Sequence, residues 1–247
     1  MRAMILAAGL GTRLQPLTNN IPKALIKIRG RTLLDIAIDN LLNNGFDKII
    51  INVHHFAEKV IQFISQNNYN ADITISDESE KLLDTGGGLK NAAWFFDDKK
   101  PFLLYNVDII SNLNLKNLYQ NHLNSKAIAT LAVRERISDR YLLLNSDNIL
   151  CGWKNIKTKE VISYCSINNL NQYAFSGIHI IDPKIFTLMP DDNIFSMIDV
   201  YVNIMKDRII SGYIDHDSFW VDVGRIESLK IAEENYNKYD HTISKRY

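Results

Sequence analysis

Cysteine is scarce in this 247-residue chain, which contains only Cys151 and Cys165. Two cysteines without metal-ligand spacing exclude a disulfide framework, and they favour a reducing compartment such as the cytoplasm. No apolar run approaches the roughly 20 residues that a membrane span requires. The N-terminal "MRAMILAAG" is too short for a signal peptide and predicts a first strand instead. We therefore expect a cytoplasmic protein that does not act at a membrane.

An excess of either charge is also missing. Lys plus Arg and Asp plus Glu both number 28, so the formal net charge is zero. That balance argues against a nucleic-acid partner, which would need a basic face. The chain has no internal repeat and no linker rich in Pro, Gly or Ser. We expect one domain over residues 1–239, a frayed tail over 240–247, and a monomer or homodimer.

Short apolar runs alternate with amphipathic segments through the first half of the chain. The predicted elements there are strand 3–8, helix 32–45, strand 48–53, helix 57–67, strand 72–77, helix 87–96 and strand 101–110. The second half predicts strands over 127–135, 141–153, 175–182 and within 210–224, with a turn at 145–148 inside the segment 141–153. It also predicts helices over 193–207 and 225–239. This pattern predicts an α/β fold with a mixed, mainly parallel sheet covered by helices on both faces. The later strands would form a smaller insertion.

The stretch "MILAAGLGTRLQPLTNNIPKALI" (4–26) follows the first predicted strand with a glycine turn. Gly9, Gly11 and Thr12 could expose backbone N–H groups to phosphate oxygens, or the glycines could only permit a tight turn. A dinucleotide-binding fingerprint fails because Leu14 replaces its third glycine and no acid follows at the ribose position. The P-loop pattern is absent as well.

Arg13 and Lys23 favour the phosphate-binding interpretation over the plain turn. Both lie directly after the glycine turn, on a loop stiffened by Pro16 and Pro22. Arg offers a rigid fork for phosphate oxygens and Lys a compact point charge. Together they could neutralise a triphosphate and charge that develops during phosphoryl transfer.

The segment "LAAGLGTRLQPLTNNIPKALI" resembles the signature of the sugar-1-phosphate nucleotidyltransferases, L-A-A-G-x-G-[ST]-R-L-x-P-x-T-x-x-x-P-K-x-[LM], at every constrained position. The resemblance implies a Rossmann-like fold of the nucleotide-diphosphosugar transferase (GT-A-like) type. It also implies that an NTP and a sugar 1-phosphate condense to an NDP-sugar and pyrophosphate, with Arg13 and Lys23 as catalytic residues.

Two aspartates follow apolar runs, Asp108 in "FLLYNVD" and Asp222 in "FWVDVG". A strand-end Asp is commonly just a turn or cap residue. The resemblance instead assigns both to the metal-binding aspartates of the family, with Mg²⁺ as the cofactor, because two polyanions must approach each other. Val107 stands where many relatives have Gly, which narrows the space beside the metal.

The third motif, "LLDTGGGLKNA" (82–92), places three glycines ahead of a predicted helix. It is either a flexible helix entry or a loop whose backbone approaches a ligand. It resembles the "E-T-G-G-G" loop of N-acetylmuramate-1-phosphate uridylyltransferases, which implies cell-wall nucleotide-sugar synthesis. The resemblance assigns nucleotide binding to Ala7, Ala8, Gly9, Gly11, Thr12, Leu83, Thr85 and Gly86.

The residues upstream of this motif bear on the choice of base. GDP-mannose-forming relatives carry an acid there, suited to guanine donors, whereas this chain has Lys81 at the equivalent position. Asp84 precedes Thr85, and Glu80 keeps a guanine interpretation open. We expect a pyrimidine, uracil ahead of thymine.

The strand "AFSGIHIID" (174–182) resembles the one that lines the sugar pocket in relatives, which implicates Ser176 and Gly177. Some relatives bind the sugar phosphate through the lysine of a Glu-Lys pair; Lys154 is its counterpart here, although Trp153 replaces the acid. Arg134, Arg136 and Arg140 could lie near the charged groups of the sugar, or they could simply lie on the protein surface.

Three rival interpretations share these motifs. The first is a guanylyl- or thymidylyltransferase acting on mannose or glucose 1-phosphate. The second is a cytidylyltransferase for a phosphocholine-like acceptor, for which an aromatic cage would be needed. The third is a catalytically silent subunit that senses nucleotide sugars, although such proteins typically lose one of the four charged residues retained here.

Overall fold

The computed structural model describes residues 1–240, which form two compact units. The first unit comprises residues 1–84, 104–115 and the chain from 218 onward; the second comprises 85–103 and 116–217. Apart from Asp240, the predicted tail lies outside the described residues.

The strands are β1 (Arg2–Leu6), β2 (Lys27–Ile28), β3 (Arg31–Thr32), β4 (Lys48–Val53), β5 (Asp72–Asp77), β6 (Phe102–Asn106), β7 (Ile109–Ser111), β8 (Ala129–Arg134), β9 (Arg140–Leu144), β10 (Leu150–Asn155), β11 (Val161–Ser163), β12 (Asn171–Ile181), β13 (Ile210–Ile214) and β14 (Trp220–Asp222). The α-helices are α1 (Leu33–Asn43), α2 (Ala57–Gln66), α3 (Asp84–Asn91), α4 (Leu115–Asn124), α5 (Met197–Ile204) and α6 (Ile226–Asp240). Short 3₁₀ turns connect several of them.

The first unit is built on parallel strands. β4 pairs in parallel with both β1 and β5, and β6 lies on the other side of β1. Residues Ile49, Ile50 and Ile51 of β4 are fully buried, as expected of a central parallel strand. Helix α1 begins at a capping box in which Thr32 Oγ1 accepts from the N–H of Asp35 at 3.0 Å. The predicted α/β class is confirmed.

The second unit contains a mostly antiparallel set of strands. β12 pairs with β8 and β9, β10 pairs with β9 and β11, and β13 runs parallel to β8. The turn joining β9 to β10 is closed by Asn145, whose N–H donates to the carbonyl of Ile149 at 3.0 Å. The turn predicted at 145–148 within the segment 141–153 is therefore confirmed, with β9 and β10 as the two strands of the hairpin.

Two predictions of local structure were wrong or incomplete, and one helix was missed. The predicted strand 101–110 is two strands, because Val107 and Asp108 form a turn between β6 and β7. Helix α3 begins at Asp84, so its three glycines lie inside the helix and not ahead of it. Helix α4 was not predicted.

Among the residues described, no helix combines the length and the apolar character needed to cross a lipid bilayer.

Candidate active site

The glycine turn after β1 is held by contacts of its own. Gly11 has a left-handed backbone, with φ of 67°, and a Cβ placed there would lie 2.8 Å from Thr18 Cγ2. Its carbonyl accepts from the N–H of Leu14 and from Thr18 Oγ1, both at 2.9 Å. The folded chain therefore requires glycine at position 11, whether or not a ligand is bound. Thr12 begins the 3₁₀ turn that follows.

Gly9 differs from Gly11 because its surroundings are open. A Cβ built on Gly9 would meet no atom within 4 Å. The two residues before it, Ala7 and Ala8, are buried, and the N–H of Ala7 donates to Asn52 Oδ1 at 2.7 Å. Packing of the described residues gives no reason for glycine at position 9, and the space beside its backbone is open. Its role in nucleotide binding stays a prediction.

The two predicted metal ligands are brought together by a small two-stranded sheet. β14 pairs with β7, so that Asp222 lies opposite Ile109, the residue after Asp108. The N–H of Val223 also donates to the carbonyl of Asp108 at 2.9 Å. Two carboxylates that are 114 positions apart in the numbering are thus neighbours in the first unit.

Both predicted catalytic cations reach this pair of carboxylates. Lys23 Nζ forms an ion pair with Asp108 Oδ2, and the two side chains are only 12% and 15% exposed. A Cβ built on Gly224 would lie 2.7 Å from Arg13 Nη2 and 2.8 Å from Asp222 Oδ1. The guanidinium and the second carboxylate therefore converge on one point above Gly224, where only glycine leaves room for both.

Burial raises the pKa of Asp222, and the neighbouring Asp108 carboxylate raises that pKa further. The N–H of Gly224, which donates to Asp222 Oδ1 at 2.7 Å, acts in the opposite direction, as do the charges of Lys23 and Arg13. The two carboxylates repel each other in a partly buried site. A divalent cation bound between them would offset that repulsion.

The predicted base-binding segment divides between the two units. Leu83 belongs to the first unit, whereas Thr85 and Gly86 open the second. Within the second unit, Gly86 N–H donates to the carbonyl of Phe195 at 2.9 Å, and Thr85 Oγ1 accepts from Met197 N–H at 2.9 Å. A side chain on Gly86 would overlap the Phe195 ring. Packing alone explains this glycine.

The predicted sugar-side residues all belong to the second unit. Gly177 has a φ of 76° and lies at a register shift of β12, beside the buried Ser176. Lys154 lies in β10 with its Nζ 5.5 Å from the centroid of the Tyr141 ring. Their roles in sugar binding stay predictions.

The three arginines considered for the sugar side differ in their surroundings. Arg134 Nη1 lies 3.7 Å from Asp215 Oδ2, and Arg136 Nη2 donates to the carbonyl of Phe175 at 3.0 Å. Arg140 is exposed at the start of β9. Arg134 and Arg136 thus both lie against the strand of Ser176 and Gly177, because Arg134 is paired with Ala174 in the ladder of β8 and β12 and Arg136 contacts Phe175.

Sequence reasoning missed two buried polar residues next to the glycine turn, Asn52 and Glu78. They are 2% and 3% exposed, and Asn52 Nδ2 donates to Glu78 Oε1 at 2.8 Å. The signal that could have found them is their position at the carboxyl ends of the neighbouring strands β4 and β5, where ligands bind in sheets of this kind.

Comparison with known proteins gives a consistent result over nearly the whole chain. Residues 2–239 match the sequence model of the family described as "Nucleotidyl transferase". The N-acetylmuramate alpha-1-phosphate uridylyltransferase of Caulobacter vibrioides is 29% identical over 241 residues, covering 94% of this chain and 95% of that protein. The mannose-1-phosphate guanyltransferase 2 of Candida glabrata is 27% identical, covering 91% of this chain but only 62% of the longer relative.

A solved structure agrees with the fold. HddC from Yersinia pseudotuberculosis, complexed with GMP-PN, superposes with a TM-score of 0.74 at 23% identity and covers 95% of this chain and 99% of its own. At that level of identity the likeness concerns the fold, and it confirms the predicted nucleotide-diphosphosugar transferase type.

Proposed function

This chain belongs to the nucleotidyl transferase family, and we propose that it transfers UMP from UTP to a sugar 1-phosphate in a Mg²⁺-dependent reaction. An oxygen of the sugar phosphate attacks the α-phosphorus, a new phosphorus–oxygen bond forms, and the bond to the β-phosphate breaks as pyrophosphate leaves. No side chain acts as a nucleophile, because positioning and charge neutralisation supply the acceleration.

The observation that carries this proposal is the convergence of Arg13, Lys23, Asp108 and Asp222 within one compact unit. Two cations and two carboxylates beside a glycine turn are suited to a polyphosphate with a metal ion and are hard to explain as packing. Retention of all four charged groups also argues against the silent sensor.

The roles of the chain's own groups follow from their chemistry. The open backbone at Gly9 and the guanidinium of Arg13 bind the β- and γ-phosphates. Lys23 leaves Asp108 on loading and bridges the α-phosphate and the sugar phosphate, where it stabilises the charge that develops in the transition state.

The chemistry of the two aspartates fits magnesium. The protein offers a pair of carboxylates, because the pairing of β14 with β7 makes Asp222 a neighbour of Asp108. Mg²⁺ is usually held by one or two carboxylates together with substrate phosphates and water, which matches such a pair. When bound through Asp108 and Asp222, it would neutralise the phosphates and polarise the α-phosphorus.

The choice of UTP rests on the "LLDTGGG" segment and on the likeness to a uridylyltransferase of nearly equal length. That relative acts on N-acetylmuramate 1-phosphate, which makes this sugar the first candidate acceptor and cell-wall precursor synthesis the candidate setting. The free Cys151 and Cys165 support a cytoplasmic location.

A matrix of nucleotides against acceptors tests the proposal. ATP, CTP, GTP, UTP and dTTP are each incubated with Mg²⁺ and the 1-phosphates of N-acetylmuramic acid, mannose, glucose or N-acetylglucosamine, with phosphocholine as the outlier, and pyrophosphate is measured. We expect the highest kcat/KM for UTP with N-acetylmuramate 1-phosphate. Preference for GTP would favour the guanylyltransferase, preference for CTP with phosphocholine the cytidylyltransferase, and no release in any well the sensor.

A further inference from the structure

Strand β7 links the two predicted metal ligands, and one of its edges faces away from any strand. It pairs with β14, so that Asp222 lies opposite Ile109, and among the described residues it pairs with no other strand. The N–H of Val223 donates to the carbonyl of Asp108 at 2.9 Å. Because alternate residues of an antiparallel strand bond to the partner, the carbonyls of Ile109 and Ser111 are directed away from β14.

These two outward carbonyls are buried, and each accepts a hydrogen bond from a side chain. Tyr105 Oη donates to the carbonyl of Ile109 at 2.9 Å, and Asn40 Nδ2 donates to the carbonyl of Ser111 at 3.0 Å. Ile109 is 3% exposed and Ser111 is fully buried, so bulk solvent does not supply a donor to either. Side chains from β6 and α1 therefore take the place of a neighbouring strand.

Tyr105 spans the turn that carries Asp108. Tyr105 lies in β6, Asp108 lies in the turn that follows, and Ile109 begins β7. The hydroxyl bond to Ile109 closes this turn from the core, where the ring of Tyr105 is fully buried. The N–H of Val107 donates to the carbonyl of Leu6 at 3.2 Å. Val107, Asp108 and Ile109 thus each have one backbone group that is fixed by a partner.

The hydroxyl of Tyr105 is itself held by a partner. Asn40 Nδ2 donates to Tyr105 Oη at 3.3 Å, so the hydroxyl accepts one bond and gives its own proton to Ile109. Burial raises the pKa of Tyr105, which keeps that proton in place. Asn40 is 6% exposed, and its Oδ1 accepts from Asn44 Nδ2 at 3.2 Å. A chain of buried hydrogen bonds therefore runs from α1 to the turn.

We propose that Tyr105 and Asn40 are positioning residues that fix β7 against α1 and so keep Asp108 within reach of the cation that Asp222 also binds. Their polar atoms bind backbone carbonyls and not the carboxylates, so they act on the metal ion through the backbone. Removal of a partner that orients a metal ligand typically lowers metal affinity by about 10–100-fold. This inference rests on the proposed function, since it takes Asp108 and Asp222 to hold Mg²⁺.

Tyr105→Phe tests the proposal, because it removes the hydroxyl and keeps the ring that fills the core. Binding of Mn²⁺ to the NTP-free protein is measured by electron paramagnetic resonance, which requires neither substrate nor turnover, beside thermal melting. We expect the dissociation constant of Mn²⁺ to rise about tenfold. In the pyrophosphate assay the KM for Mg²⁺ should rise by a similar factor, whereas kcat at saturating Mg²⁺ should stay within about threefold of wild type.

Tyr119→Phe is the matched control. Tyr119 Oη donates to the carbonyl of Pro101 at 3.1 Å within the second unit, so this variant loses the same atom and the same kind of hydrogen bond. It should leave the affinity for Mn²⁺ unchanged, which separates a loss of stability from an effect on the metal site. Equal Mn²⁺ affinity in Tyr105→Phe, Tyr119→Phe and wild type would overturn the proposal.

Asn40→Ala is measured beside these variants and decides if Tyr105→Phe does not fold. It removes the donor to Ser111 and to the Tyr105 hydroxyl, so it should also weaken Mn²⁺ binding, and wild-type affinity would overturn the proposal. Weakened Mn²⁺ binding in these variants, without pyrophosphate release by wild type from any nucleotide, would reject the proposed function and leave this inference standing. Pyrophosphate release with wild-type Mn²⁺ affinity in both variants would do the reverse.

Discussion

Lys23 Nζ donates to Asp108 Oδ2 although 85 positions separate the two residues. The ion pair uses the ammonium group of Lys23 and one carboxylate oxygen of Asp108. While it is formed, the ammonium group cannot bind a phosphate and that oxygen cannot bind a metal ion. Under the proposed function, loading of Mg²⁺ and NTP would replace this ion pair with two separate interactions. In the structure, the pair holds both side chains in place.

Replacing Lys23 should change metal affinity and turnover in opposite directions. In Lys23→Met the carboxylates of Asp108 and Asp222 lose the positive charge beside them. We therefore expect Mn²⁺, used as a spectroscopic substitute for Mg²⁺, to bind about tenfold more tightly to the NTP-free protein. One nearby charge changes the binding free energy by about 1 kcal/mol or more. Turnover should fall by about 100-fold or more. Electron paramagnetic resonance titration and pyrophosphate release measure the two effects. Unchanged Mn²⁺ affinity would contradict this account of the pair.

Changing Gly11 to Ala is expected to lower stability, whereas changing Gly9 to Ala is expected to weaken NTP binding. Gly11→Ala forces a side chain into the left-handed region and against Thr18, and should cost about 1–3 kcal/mol of stability. Gly9→Ala meets open space, and its melting temperature should equal that of wild type. Its KM for NTP should nevertheless rise about tenfold or more, because under the proposed function the new methyl group would occupy the place of a phosphate. Normal NTP binding by Gly9→Ala would remove Gly9 from the site.

Gly86→Ala tests whether packing or a ligand requires glycine at the start of α3. The added Cβ would lie 2.8 Å from the carbonyl oxygen of Phe195 and overlap its ring. We expect a loss of about 1–3 kcal/mol in the free energy of unfolding, measured by denaturant titration. Gly9→Ala serves as the control that adds the same methyl group without a clash. Wild-type stability of Gly86→Ala would mean that the segment of Phe195 yields to the new side chain.

Two buried histidines of the second unit predict how stability depends on pH. Burial lowers the pKa of His179 to about 3 and that of His122 to about 4, from an ordinary value of 6.5. Below pH 6.5 the unfolded chain therefore binds protons that the folded chain does not, and the free energy of unfolding falls as the pH falls. The slope should approach about 1.4 kcal/mol per pH unit for each histidine near pH 5.

Denaturant titrations at pH 7, 6 and 5 measure this slope. His179→Gln keeps a group that can hydrogen-bond to the Tyr201 hydroxyl, which lies 2.7 Å from His179 Nδ1. It should reduce the slope by the share of one histidine. Equal slopes in wild type and His179→Gln would contradict the contribution expected of His179.

Local sequence patterns predicted the parts of the fold that local chemistry determines. The buried run of β4 and the capped amphipathic α1 were both recognisable, because burial of one strand or one helix face leaves a periodic signature. The charged residues of the signature, Arg13 and Lys23, were found from a contiguous motif. Asp108 and Asp222 needed the family resemblance, since a strand-end acid by itself is ambiguous.

The features that were missed depend on contacts distant in sequence. Helix α3 contains three glycines, which are poor helix formers, and the carbonyl of Phe195 accepts from two of their N–H groups. Asn52 and Glu78 are polar residues in buried surroundings, and only the pairing of β4 with β5 reveals that they meet. Helix α4 is different, because Leu115, Leu118, Tyr119 and Leu123 follow the spacing of an amphipathic helix, so its own sequence pattern was sufficient to predict it.

The most direct test of the central claim is pyrophosphate release by Asp108→Asn and Asp222→Asn, measured beside thermal melting. The account predicts that each variant loses about 100-fold or more in turnover, because a neutral amide does not hold Mg²⁺ as a carboxylate does. Asp222→Asn should melt at or above the wild-type temperature, since it removes a partly buried acid whose charge is opposed by Asp108. Near-wild-type turnover in both variants would contradict the claim that these two acids hold the metal ion.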